Sequence, residues 1–133
     1  MMSEIRESVI FMVRREEQIL CEWRQFRDVM RHCILGGKVE QIDYEANDFR
    51  NAAVIREAQE EIGIIVKSCQ YLSSFEYKNY PFHLMLVESW VGEIPEFNND
   101  NKNRLNWVDQ HELAASITLE PLKQAVDKFL YDG

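Results

Sequence analysis

The sequence predicts a mixed α/β, or α+β, fold: one sheet flanked by helices, without a regular alternation of strand and helix. Three observations carry this. Apolar runs of strand length, rich in Val and Ile, fill most of the chain. Only residues 48–62 and 120–130 change to helical spacing of their apolar side chains. At 133 residues, 46% hydrophobic and 11% aromatic, the chain can bury a core on both sides of a sheet. We read residues 1–133 as a single domain.

In order, "SVIFMVRRE" is a strand, because its apolar core from Val9 to Val13 is hemmed by charges and too short for a signal sequence or a membrane span. The charged "REEQ" joins it to "QILCEW" as a hairpin, and "HCILGG" is a third short strand ending at Gly36 and Gly37. From Asp48 to Ile62 the period becomes helical. Val54, Ile55, Ala58 and Ile62 fall within one arc of roughly 100°, and Glu57, Glu60 and Glu61 fall on a different side. Asp48 is placed to cap the helix N-terminus and Gly63 to end it. "IIVKSCQYLSSFEY" and "FHLMLVESWVGE" are strands joined by the turn "KNYP". After the polar loop "EIPEFNNDNKN" come a last short strand, "LNWVD", and the amphipathic helix "EPLKQAVDKFL", with Leu122, Val126, Phe129 and Leu130 on one face.

A formal charge of −8 argues against a nucleic-acid polymer as partner, because phosphate backbones are held by clustered Lys and Arg. Cys21, Cys33 and Cys69 are odd in number, widely spaced and flanked by apolar residues, so we expect buried reduced thiols and a cytoplasmic location with no membrane partner. His32, His83 and His111 lack the spacing of a zinc site.

The helix segment "REAQEEIG" concentrates charge. Glu57, Glu60 and Glu61 stand at i, i+3 and i+4, spacings that bring like charges together on a helix. Arg56 offsets part of the repulsion through an i, i+4 pair with Glu60. A divalent cation would offset more, since Mg²⁺ or Mn²⁺ favours clustered carboxylate oxygens together with waters and substrate phosphates. A solvated acidic face is the bland alternative. Upstream, "GGKVE" brings two glycines and Lys38 to the end of a strand, where backbone and a point charge can meet a phosphate.

The stretch from Gly36 to Ile64 resembles the signature of the Nudix hydrolases, most closely the MutT-like branch. That signature reads Gly, five residues, Glu, seven residues, Arg-Glu, apolar, any, Glu-Glu, any, Gly, apolar. Arg56, Glu57, Ala58, Glu60, Glu61, Gly63 and Ile64 match its second half. The first half departs: counted forward from Gly37 the glutamate position falls on Asp43, counted back from Arg56 it falls on Asp48, and an insertion of five residues accounts for both. "SWVGE" and "LNWVDQHEL" are similar to later segments of the same family.

The resemblance implies a Nudix-type α/β/α sandwich with a mixed central sheet. It implies a pyrophosphohydrolase that uses Mg²⁺ (or Mn²⁺) to cleave a phosphoanhydride of a nucleoside triphosphate or other nucleoside diphosphate linked to X, releasing a nucleoside monophosphate. The carried-over metal ligands are Glu57, Glu60, Glu61 and the backbone carbonyl of Gly36, with Asp100 as a further loop carboxylate. Glu57 is the expected general base, Arg56 orients a glutamate of the cluster, and Arg24, Lys38 and Gly37 are expected to meet the substrate. Leu119 stands where MutT-like enzymes carry a base-reading amide, and a leucine can neither donate nor accept a hydrogen bond. That points away from a dedicated 8-oxo-guanine sanitiser. Phe75, Tyr77, Tyr80, Phe82, Trp23 and Phe26 could stack on a base or simply fill the sheet core. The alternative function is a catalytically weak nucleotide-sensing module. Related folds commonly dimerise, so a homodimer stays open.

Overall fold

The computed structural model describes residues 6–132. Its elements are β1 (Ser8–Arg15), β2 (Gln18–Phe26), β3 (Val29–Lys38), a 3₁₀ turn (Gln41–Glu45), α1 (Phe49–Ile62), β4 (Ile65–Tyr77), β5 (Tyr80–Val91), β6 (Arg104–Asp109), α2 (Gln110–Ser116) and α3 (Glu120–Tyr131). Among the described residues the strands form one six-stranded sheet in the order β4-β5-β1-β3-β2-β6. β1 and β5 run parallel, with Ser8 opposite Phe82, while the other pairs are antiparallel, so the sheet is mixed as expected.

Strand alternation sends successive side chains of β1 to opposite faces. Val9, Phe11 and Val13 join Ala53, Val54, Ala58 and Ile62 of α1 in one core, together with Leu20, Leu35, Met85 and Val87. Met12 faces the other way, into a second core with Ile19, Leu84, Leu113 of α2 and Val126 of α3. Helices thus cover both faces, which makes the α/β/α sandwich. Asp48 caps α1 by accepting from the backbone N–H groups of Arg50 and Asn51 at 3.1 and 3.2 Å, and Gly63 ends it at φ 66°.

Several boundaries differ from the sequence reading, each for a local reason. β2 and β3 extend to a hairpin tip at Arg27 and Asp28, so Arg24 lies within a strand and not at its end. The β4–β5 turn is two residues long: Lys78 and Asn79 take φ of 52° and 69°, the left-handed pair that tight hairpins need, and Tyr80 and Pro81 belong to the strand. α2 was not expected; Asp109 caps it by accepting from the N–H groups of His111 and Glu112. On α1, Ile55 is 42% exposed, while Glu57 and Glu61 turn inward beside Ala58 and Ile62. Cys21 is buried, Cys33 and Cys69 are half-buried, and all three are unpaired. Burial pushes the Cys21 and Cys69 thiols up to about 12, which keeps them protonated. No helix among the described residues is long and apolar enough to cross a membrane.

Candidate active site

The loop between β3 and α1 resolves the double count of its aspartates. Asp43, at 3% exposure, accepts from Arg56 Nε at 3.1 Å and Arg56 Nη2 at 2.9 Å, a two-pronged pair, and also from the Glu40 backbone N–H at 2.8 Å. Burial works to raise its pKa, but the Arg56 and Glu40 hydrogen bonds outweigh burial and hold the carboxyl below its ordinary range. Asp48 instead caps the helix. Asp43 thus sits within the 3₁₀ turn Gln41–Glu45, and Asp48 at the start of α1.

Arg56 is the hub of this corner. Besides Asp43 it donates to the Lys38 carbonyl at 2.9 Å, to Glu57 Oε1 at 2.9 Å and to Glu60 Oε2 at 3.3 Å, and its Nη1 lies 3.3 Å from Glu40. Hydrogen bonds from Arg56 to Asp43 are the largest of the causes that raise the guanidinium above its ordinary range. The expected Arg56–Glu60 pair is present, yet the three glutamates do not share one environment. The Glu60 side chain is 48% exposed at the rim, whereas Glu57 and Glu61 are buried against the sheet. The Glu57 carboxylate lies over Gly37, where a methyl group would overlap it and push the carboxylate from its place.

Glu61 leads to two residues that the sequence reading missed. Its Oε1 accepts from Asn98 Nδ2 at 3.1 Å, and the same amide nitrogen donates to Glu22 of β2. Glu22, 3% exposed, also accepts from Asn101 Nδ2 at 2.9 Å. The loop that carries these asparagines is fastened to the end of α1, because the Asn99 N–H donates to the Glu61 carbonyl at 2.8 Å. Asp100 is exposed and gives its backbone N–H to Asn98 Oδ1 at 2.8 Å, so the loop reaches the cluster through Asn98 and Asn101. One signal was readable in advance: Glu22 is a lone acid inside the apolar strand "QILCEW".

Two adjoining cavities flank the cluster. A polar one of about 360 Å³ brings together Arg24, Gly36, Gly37, Lys38, Glu22, Glu61 and Asn101, so it gathers most of the predicted site residues. An apolar one of about 410 Å³ lies between β2, β3 and the start of α3, lined by Phe26, His32, Ile117, Leu119 and Leu122 among others. Arg24, Ile10 and Ile34 border both. Of the aromatics considered for stacking, Phe26 lines this cavity, while Phe75, Tyr77 and Phe82 pack on one another along the β4–β5 hairpin.

The donor set fits a hard divalent cation. Among the described residues no three carboxylate, imidazole or thiol groups stand close enough together to hold a metal ion between them. Mg²⁺, however, typically takes one or two protein carboxylates and completes its shell with water and phosphate. Glu61 Oε2 is buried with no hydrogen-bond partner, an acceptor that the protein itself leaves unused. Burial is the main cause that pushes the Glu61 carboxyl up to about 8; the Asn98 hydrogen bond opposes it, and the neighbouring Glu57, close enough to accept the proton of a neutral Glu61, adds to it together with Glu22. Such an acid needs a proton or a cation.

A mixed sheet between helices, with an inward acidic helix facing a glycine-bearing strand end, defines an α/β/α sandwich with a carboxylate-lined site. The NUDIX domain model matches residues 4–132, and the chain belongs to that family. It is 34% identical over 85 residues to an 8-oxo-dGTP diphosphatase of Haemophilus influenzae, a match covering 60% of this chain and 56% of that protein, so little more than half of that relative is spanned. It is similar in structure to a MutT protein from work on Aliivibrio salmonicida and Vibrio cholerae, with TM-score 0.71, 27% identity, and 92% and 98% of the two chains covered. The MutT NUDIX hydrolase of Burkholderia pseudomallei shares the fold at TM-score 0.70 and 19% identity, over 94% of this chain and 98% of that one.

Proposed function

We propose that this chain is a cytoplasmic pyrophosphohydrolase that uses Mg²⁺ or Mn²⁺ and cleaves a phosphoanhydride bond of a nucleoside triphosphate or of another nucleoside diphosphate linked to a further group. A nucleoside monophosphate is released. The observation that carries the reading is the buried, unpartnered Glu61 Oε2 at the wall of a polar cavity that also holds Lys38 and Arg24. An anion-binding cavity with a spare buried carboxylate oxygen suits a phosphate brought in together with a cation. Family membership and the likeness to an 8-oxo-dGTP diphosphatase from Haemophilus influenzae support the same reaction class.

In this reading Glu57 and Glu61 from the buried side, the Gly36 carbonyl, and Glu60 from the exposed rim are the groups that would hold the metal. The bound cation supplies positive charge against the phosphate oxygens and makes an attacking water more acidic. Glu57 takes the proton of that water, and Arg56 keeps the Glu57 carboxylate aimed by its 2.9 Å hydrogen bond. Lys38 and Arg24 bind phosphate oxygens, and Gly37 makes room for the Glu57 carboxylate and lets the main chain come close to a substrate phosphate. The apolar cavity beside Arg24 receives the nucleoside or the other leaving moiety. Its Leu119 wall gives shape and apolar contact but reads no base edge, which favours tolerance among bases over selection of one.

The test is release of phosphate or pyrophosphate from a panel of nucleoside triphosphates, dinucleoside polyphosphates and nucleotide-sugars. Turnover with Mg²⁺ by the wild-type chain, and its loss by at least about a hundredfold in Glu61→Gln, is the expected result. A Glu61→Gln chain that hydrolyses at the wild-type rate under saturating Mg²⁺ defeats the assignment.

A further inference from the structure

Glu22 has no part in the reading above, and its surroundings give it one. It comes from β2, far in sequence from the acidic helix, yet it is 3% exposed and shares the amide donor of Asn98 with Glu61. Each of the two carboxylates keeps one oxygen outside that sharing. Glu61 Oε2 is buried and unpartnered. Glu22 Oε2 makes no hydrogen bond and is held by a long ion pair with Arg24 Nε at 3.8 Å. Both residues line the polar cavity, alongside Gly36 and Asn101.

Two buried carboxylates at such close quarters repel strongly in a poorly screened interior, and two asparagine amides with a half-exposed Arg24 at 3.8 Å offset only part of that. A glutamine at position 22 could accept the same amide hydrogens with no repulsion, so hydrogen bonding alone gives no reason for the charge. We propose that Glu22 and Glu61 together form a divalent-cation subsite, in which Glu22 supplies from the sheet the additional carboxylate that the sequence suggested at Asp100. The inference rests on the reading of Glu61 as a metal ligand and deepens it. Hard oxygen donors on a strand and a helix, opening on a phosphate-sized cavity, suit Mg²⁺ or Mn²⁺. Asn98 and Asn101 act as positioning residues that fix the Glu22 rotamer.

Mn²⁺ titrated alone into the full chain, followed by calorimetry, tests this with Glu22→Gln, and Mn²⁺-soaked wild-type crystals locate the ion by anomalous scattering. The expected result is an affinity for Mn²⁺ weakened by about tenfold or more in Glu22→Gln, and anomalous density in contact with both Glu22 and Glu61. Wild-type affinity in Glu22→Gln, or density that leaves Glu22 bonded only to Asn98 and Asn101, makes Glu22 a structural acid and overturns the proposal while the acidic-helix reading stands. If Glu22→Gln does not fold, the wild-type crystals decide alone. Wild-type protein that takes up no Mn²⁺ in either measurement removes both ideas together.

Discussion

At the scale of single residues, Arg56 shows how much one guanidinium can organise. Its planar fork serves Asp43 with two nitrogens, the Lys38 carbonyl with one of these, and the Glu57 and Glu60 carboxylates with the third. Asp43 was legible only as one of two candidates, because residue counting cannot place an insertion within a loop. Spatial pairing settles it. The pairing also has a pH signature. The folded-state pKa of Asp43 lies below its ordinary value of 3.8, so its stabilising contribution is present above that value and is lost as pH falls through the depressed one. Replacing Asp43 by Asn should therefore lower stability near neutral pH by about 1–3 kcal/mol, and the gap from wild type should narrow from about pH 5 downward. Thermal melts of the two proteins across that range provide the check; a gap independent of pH would contradict the pairing.

At the scale of elements, α1 was legible where its rules are local and illegible where its partner decides. Asp48 and Gly63 announce the two ends by capping chemistry alone. Which face turns inward depends on the sheet, and here the sheet receives Glu57 and Glu61 and leaves Ile55 partly in solvent. A helix that buries acids and exposes an isoleucine breaks the binary pattern, and such breaks gather at functional sites. α2 escaped because seven residues offer little periodicity, although Asp109 with Glu112 three positions on was a readable start signal. The division of labour between the two loop aspartates gives a prediction at this scale. Asp48→Ala should lower stability by about 1 kcal/mol through loss of the cap, with hydrolysis by the folded protein unchanged. A fall in turnover at full folding would return Asp48 to the site.

At the scale of the whole molecule, the layered fold followed from the pattern of apolar runs, and β1 explains why: its alternate side chains feed two separate cores, one under α1 and one under α2 and α3. The candidate site was half legible. Glu57, Glu60, Glu61, Gly36, Gly37 and Lys38 lie within one continuous stretch whose spacing carries meaning. Glu22 and Asn98 enter from β2 and from the loop before β6, separated by 76 positions, and only the folded sheet brings them to Glu61. Sequence periodicity holds no record of such meetings. The central claim is that the inward carboxylates of this cluster tolerate one another because a divalent cation joins them. Calorimetric titration of Mn²⁺ into the wild-type chain and into Glu61→Gln tests it most directly. Saturable binding to the wild type that is lost or greatly weakened in the variant is expected; equal binding by both, or none by the wild type, would overturn the proposed metal site.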